Sequence, residues 1–149
     1  MIYPDNRILL GLAPTRRDDL TFPVETALEN KKMLFAHLDK LGIQYVHLDD
    51  VCPDGMLVTL EDVAAAEKKF RSEGAHAVFT AFTNFGCEGA VSMLARAMNL
   101  PLLLWGPREY EGFGYEGKCT IGLYAAGKDL LRMGCVFSYI PNCYLEDEL

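Results

Sequence analysis

Short apolar runs alternate with amphipathic segments along the whole chain. Five runs, each closed by a polar or proline-containing turn, are typical of strands that are covered on both faces. They lie at residues 7–14, at 45–48, from Ala77 onward, at 100–105 and at 136–140. Between them, apolar residues recur every three or four positions, which predicts helices beginning near Pro23, Thr59, Ala90 and Ile121.

The predicted helix ends are marked by turn residues. Gly42, Gly74 and Gly134 each follow a helical segment, where a left-handed cap favours glycine, and Thr59 is the expected cap of the second helix. The resulting order βαβαβαβαβ requires a parallel sheet with right-handed crossovers. We therefore expect residues 1–149 to form a single α/β domain, a three-layer α/β/α sandwich with the flavodoxin-like strand order 2-1-3-4-5.

Composition narrows the range of partners. The 149 residues carry a formal net charge of −7, which disfavours nucleic acid and anionic lipid as partners. No apolar stretch reaches the length of a membrane span, and the first residues lack the pattern of a signal peptide. Five widely spaced cysteines without a C-x-x-C pair favour reduced thiols and a cytoplasmic location.

Polar and aromatic side chains follow three of the predicted strands. In doubly wound sheets, ligands bind beyond the carboxyl ends of the strands, at the switch point between the first and third. A mixture of arginine, amide, carboxylate and aromatic groups there favours a polyol or carboxylate ligand. The candidate substrate-binding residues are Arg16, Arg17, Asn84, Phe85, Glu88, Trp105 and Arg108.

Each candidate also has a structural interpretation. The two arginines could pair with Asp18 and Asp19 on a solvated loop. Asn84 is a good helix N-cap, and Trp105 at a strand end is more often a packed aromatic than a stacking platform. The site hypothesis therefore depends on the convergence of these residues at one edge of the sheet.

Other motifs carry less weight. Residues 112–117 match G-x-G-x-x-G, but they are six residues removed from the preceding strand, so a flap is a better interpretation than a dinucleotide fingerprint. Cys87 lies in the first turn of a helix, where a thiol can become reactive, but no arginine follows at phosphatase spacing, and we interpret it as a small buried residue. The three histidines have no cysteine or carboxylate at ligand spacing, so no local motif predicts a metal site.

The order of these motifs resembles the N-terminal domain of the L-fucose/L-arabinose isomerase superfamily, in its fucose-isomerase-like branch. The resemblance spans nearly the whole chain. It rests on residues 14–17 (PTRR), 84–88 (NFGCE), 103–108 (LLWGPR), 122–128 (GLYAAGK) and 137–140 (FSYI).

The resemblance implies a cytoplasmic, homo-oligomeric sugar isomerase that interconverts aldoses and ketoses with a bound divalent metal, usually Mn²⁺. Metal ligands and catalytic residues would lie in downstream domains, so we expect neither a cofactor nor a catalytic residue in this chain and no activity from it alone. An arginine of the first loop, Arg16 or Arg17, and Phe85 would help to close a neighbouring subunit's site. True fucose isomerases resemble one another in having tryptophan at the position of Phe85.

Two alternatives belong to other classes of protein. The chain could be a stand-alone flavodoxin-like module that binds a sugar without a metal. It could also be a thiol enzyme that uses Cys87, in which case alkylation of that cysteine would be rapid and the Cys87→Ser variant inactive.

Overall fold

Five parallel strands form one sheet in the order β2-β1-β3-β4-β5, as predicted. The computed structural model describes residues 8–18, 21–108, 118–141 and 143–144. The strands are short, between three and five residues each, and the longest of them, β3, lies at the centre of the sheet. Their bounds are β1 Leu9–Leu12, β2 Gln44–Val46, β3 Ala77–Ala81, β4 Leu102–Trp105 and β5 Ser138–Ile140.

Four helices cover the two faces of the sheet and complete the three layers. Their bounds are α1 Val24–Lys40, α2 Asp62–Ser72, α3 Glu88–Met98 and α4 Cys119–Arg132. Leu34 and Leu38 of α1 pack on one face, against Leu12, Phe79 and Trp105.

The other face is covered by α2, α3 and α4, whose buried residues share one core with alternate residues of β3 and β4. The predicted α2 stripe of Val63, Ala66 and Phe70 lies in this core. Among the described residues, none of the helices is both long and apolar enough to cross a membrane.

The helix ends confirm the glycine predictions and correct one cap. Gly42, Gly74 and Gly134 have φ of 67°, 74° and 70°, in the left-handed region that favours glycine. The prediction that Thr59 caps α2 is wrong. The helix begins at Asp62, whose carboxylate instead accepts the backbone N–H of Thr59 at 2.8 Å. The glycine-rich segment 112–117 lies outside the described residues.

The backbone continues to pair beyond the ends of the strands. Past Leu12, the N–H of Thr15 donates to the carbonyl of Ala81 at 2.8 Å, and the N–H of Thr83 donates back to the carbonyl of Thr15 at 3.0 Å. The loop after β2 joins the same ladder, because the N–H of Arg16 donates to Leu57 O at 3.1 Å. The three loops at this end of the sheet are therefore connected by backbone hydrogen bonds.

Candidate functional site

The loops after β1 and β3 are joined by the side chain of Asn84. Its Oδ1 accepts the backbone N–H of Arg17 at 2.7 Å and that of Gly86 at 3.0 Å, and its Nδ2 donates to Arg17 O at 3.3 Å. Asn84 has no exposed surface, so these bonds satisfy a buried amide. Capping, the structural interpretation of Asn84, is not what the structure shows, because the helix begins four residues later, at Glu88.

Arg17 is the accessible cation of this loop pair. Its Nη2 lies 2.6 Å from Glu88 Oε2, its Nε donates to Gly86 O at 3.3 Å, and its guanidinium carbon lies 4.4 Å from the centroid of the Phe85 ring. The Phe85 ring also contacts Phe22, with centroids 5.3 Å apart. About a third of the Arg17 side chain is exposed. The structure thus brings four predicted residues together: Arg17, Asn84, Phe85 and Glu88.

The buried side chain of Thr15 joins the loop after β1 to the loops after β2 and β3. Thr15 Oγ1 accepts the N–H of Cys87, in front of the first turn of α3, and donates to Leu57 O, both at 2.9 Å. Thr83 Oγ1 in turn donates to Thr15 O at 2.8 Å. Because the Thr15 and Thr83 hydroxyls are buried and hydrogen-bonded, they restrict the movement of the loops that carry Arg17 and Phe85.

Arg16 lies behind this surface and is only 6% exposed. Its Nη2 donates to Asp54 Oδ2 at 2.9 Å, and its Nη1 lies 3.2 Å from Asp18 Oδ1, at ion-pair distance but outside hydrogen-bonding geometry. The Nε of Arg16 is buried and has no hydrogen-bond partner among the residues that the structure describes. A pairing of Arg16 with Asp18 was one of the sequence-based alternatives, but the guanidinium is buried and not solvated. Asp19 lies outside the residues that the structure describes.

Asp54 was not predicted as a site residue. It has φ of 53°, in the left-handed region that aspartate tolerates better than most residues, and it precedes Gly55 with φ of 66°. Its carbonyl accepts from Lys31 Nζ at 2.6 Å. The Asp-Gly pair is a turn signal in the sequence, but its contact with Arg16, 38 residues away, is visible only in the fold.

The two remaining candidates lie at β4. Trp105 is 1% exposed and belongs to the core beneath α1, and within the described structure its Nε1 has no hydrogen-bond partner. The packed interpretation of Trp105 therefore agrees with the structure. Arg108 lies farther along, where its N–H donates to Cys143 O at 2.8 Å and its guanidinium carbon is 5.3 Å from the Tyr144 ring centroid.

Arg108 borders a groove of about 340 Å³ between β4, β5 and the start of α4. Tyr124 and Tyr139 also line this groove. The groove lies beside the carboxyl ends of β4 and β5, whereas Arg17 and Phe85 lie beside the carboxyl ends of β1 and β3. The seven candidates therefore fall into three groups: the cluster of four around Arg17, Arg108 at the groove, and the buried Arg16 and Trp105, which lie outside both.

The four-residue cluster can accept and donate hydrogen bonds and can stack. A guanidinium already neutralised by Glu88, next to a half-buried aromatic ring, suits hydroxyl groups and the apolar face of a sugar ring. No group of three or more His, Cys, Asp or Glu side chains in the described ranges is arranged to hold a metal ion. What the cluster can do chemically is to bind and orient a ligand.

The fold and this cluster define a class of protein: a flavodoxin-like α/β domain with a candidate ligand-binding surface at its β1–β3 switch point. Comparison with protein families identifies which one. The model of the family described as "Fucose/sulfoquinovose isomerase, N-terminal domain" matches residues 11–149, and the chain belongs to this family. A comparison with curated proteins gives no match.

Proposed function

We propose that this chain positions the sugar in an aldose–ketose isomerase whose catalytic metal is bound outside it. The membership in an isomerase N-terminal domain family supports a sugar substrate. The observation that carries the positioning role is the arrangement of Arg17, fixed by Asn84, paired with Glu88 and stacked on Phe85. Such preorganised polar and aromatic groups hold a substrate in a reactive orientation.

Isomerisation needs a base to move a proton between two carbons and an electrophile to polarise the carbonyl. We expect Mn²⁺ or another divalent ion to supply the latter, held by residues of downstream domains. The part assigned to this chain is binding, orientation and assembly with neighbouring subunits in a cytoplasmic homo-oligomer. The 149-residue chain alone should therefore show no turnover of L-fucose.

The test is the Arg17→Ala variant of an isomerase that contains this domain. Loss of a hydrogen bond from a charged group costs about 1.5–3 kcal/mol, so KM for L-fucose should rise about 10- to 140-fold with a smaller change in kcat. Saturation kinetics measure both values. A proportional fall in kcat at constant KM would contradict a binding role.

Arg71→Ala is the matched control. Arg71 also makes one ion pair, with Glu67 at 2.9 Å, and one bond to a backbone carbonyl, Ala97 O at 2.6 Å, but it lies near the end of α2. Its loss should leave KM unchanged. Robust isomerase activity from residues 1–149 alone, or an equal KM effect in both variants, would refute the proposal.

A further inference from the structure

The outer face of α4 and the adjoining edge strand β5 expose large apolar side chains. Ile121, Tyr124 and Leu131 are spaced to lie on one face of the helix. The exposed fractions are 89% for Val136, 72% for Leu131 and 65% for Tyr124. We call this surface the α4–β5 strip; its members are Ile121, Tyr124, Leu131, Met133, Val136 and Tyr139.

Grooves at both ends extend the strip. Tyr124 and Tyr139 line the groove of about 340 Å³ beside Arg108, and Met133 and Val136 line a second groove of about 550 Å³ at the opposite end of the sheet. The strand between the grooves is the last one of the sheet, so one side of its backbone carries no ladder partner within the described sheet.

The composition of the strip is that of a protein interface. Tyrosine, methionine and arginine are enriched in interfaces. The strip contains the first two, and Arg132 lies between Leu131 and Met133 in the sequence, at the end of α4. The outer face of α2, which lies on the same side of the sheet, is different: it exposes Ala64, Lys68 and Arg71, an ordinary solvated surface. Exposure on α4 is therefore a local property of that helix.

Charge indicates which partner fits. Residues 118–141 contain three basic residues and a single carboxylate, Asp129, in a chain of net charge −7. At the other edge of the sheet, residues 47–62 contain five carboxylates and no lysine or arginine. This acidic segment also exposes two apolar side chains, Leu60 at 57% and Val51 at 38%. The chain thus carries two apolar surfaces of opposite charge.

Lysines from neighbouring helices neutralise part of the acidic segment. Asp50 lies 2.8 Å from Lys69, and Asp49 pairs with Lys31. Glu61 has no ion pair among the described residues and is fully exposed, next to Leu60. The free negative charge is therefore concentrated where the apolar exposure of this segment is largest.

We propose that the α4–β5 strip of one copy docks on the 47–62 segment of a second copy, head to tail. This deepens the assembly part of the proposed function by assigning its two surfaces. Pairing two identical strips across a two-fold axis would instead bring Lys128 and Arg132 of both copies together, which costs energy. A head-to-tail contact uses a different surface on each copy, so it closes into a ring where the rotation between copies permits and otherwise continues as a filament. A standard interface of about 800 Å² per partner would cover about a tenth of the 8372 Å² accessible surface.

Sedimentation of the 149-residue chain across concentration tests the strip. The wild type should associate reversibly, and its apparent Kd should rise with salt because surface charges are screened. The L131E/V136E variant should weaken association at least tenfold. Ala64→Glu on the polar face of α2 is the control and should associate like the wild type, with circular dichroism confirming that each variant is folded.

Charge reversal tests the head-to-tail geometry. K128E/R132E and Glu61→Lys should each associate more weakly than the wild type. A mixture of the two should recover pairwise association, because the unaltered strip of Glu61→Lys can dock on the unaltered 47–62 segment of K128E/R132E. A chain that is monomeric at all concentrations overturns the proposal. So does a K128E/R132E variant that binds the wild-type strip while Glu61→Lys changes nothing. No sugar is needed, so the outcome is independent of the Arg17 kinetics.

Discussion

The amide of Asn84 and the backbone of Arg17 exchange two hydrogen bonds across 67 residues of sequence, one of 2.7 Å and one of 3.3 Å. This is a two-way link between the exits of β1 and β3. Since a parallel sheet places those exits side by side, a single short side chain can join them. The position of the partly exposed Arg17 side chain thus depends on a residue with no exposed surface of its own.

Removing this link should cost stability. In Asn84→Ala, the N–H groups of Arg17 and Gly86 lose their acceptor, and a buried unsatisfied donor costs about 1–3 kcal/mol. The free energy of unfolding, measured by urea titration, should fall by that amount. Gln44→Ala, at an exposed position of β2, is the control and should change it by less than about 0.5 kcal/mol. If Asn84→Ala lowered the free energy of unfolding as little as the control Gln44→Ala does, the link between the two loops would not be rigid.

Gly122 of α4 should not tolerate a methyl group. A Cβ at this position would lie 1.8 Å from the carbonyl oxygen of Phe85, so either α4 or the loop after β3 must move. Gly122→Ala should destabilise the fold by about 1–3 kcal/mol or more, as overpacking does, and should also displace Phe85. Thermal unfolding measures the first effect, and the KM of the isomerase for L-fucose measures the second.

Gly127 provides the matched control in the same helix. Its Cβ would come no closer than 3.3 Å to the Phe137 ring, a partly buried side chain that can shift. The gain in helix propensity, up to about 1 kcal/mol, then offsets the contact. If Gly127→Ala were as damaging as Gly122→Ala, helix flexibility and not the contact with Phe85 would explain both.

Asp54 should support Arg16 through both its charge and its backbone. Asp54→Ala removes the carboxylate from a guanidinium that is only 7% exposed and places alanine at φ of 53°. We expect a loss of about 1–3 kcal/mol, less than for a fully buried pair because the Asp54 side chain is 41% exposed. Asp54→Gly relieves the backbone and removes only the charge, so it should lose less. Urea titration measures the free energy of unfolding of both variants. A greater loss of this free energy in Asp54→Gly than in Asp54→Ala would contradict a backbone contribution.

The fold could be predicted because its signals are local. Apolar runs gave the strands, three-to-four spacing gave the helices, and the alternation of the two restricts the topology to few solutions. Gly42, Gly74 and Gly134 were found because a left-handed cap depends on one residue's own backbone. Thr59 was mistaken for a cap because the helix begins three residues later, at Asp62, whose carboxylate accepts the N–H of Thr59.

The arrangement of the candidate site residues could be predicted only in part, because the contacts between them are long-range. The sequence places Arg16 and Arg17 side by side in the same loop, and only the packing of the loop after β2 decides that Arg16 is buried while Arg17 is accessible. The same holds for Trp105, whose burial depends on α1 covering that face of the sheet. Which polar residue faces a ligand is therefore a tertiary property.

Cys52 should react slowly as long as the chain is folded. Burial, followed by the negative charges of Asp62 and Asp50, raises the pKa of its thiol to about 11. At pH 9 about one folded thiol in a hundred is then ionised, against about half in the unfolded chain. Alkylation by iodoacetamide at pH 9, followed on the Cys52 peptide by mass spectrometry, should be tens of times faster in urea than in buffer.

The same shift makes the fold sensitive to alkali. Because the folded pKa of Cys52 is raised, the folded state holds its proton more tightly, and that contribution is present below pH 9 and is lost between about pH 9 and 11. The midpoint of urea unfolding should fall as the pH rises through this window. The midpoint of the Cys52→Ala variant should fall less steeply. Tyr45, whose pKa is raised to about 12 by burial and then by Asp39, contributes above pH 10 in both proteins, so the difference between them isolates Cys52. If the urea midpoint fell equally steeply with pH in the wild type and in Cys52→Ala between pH 9 and 10, the Cys52 thiol would not be desolvated.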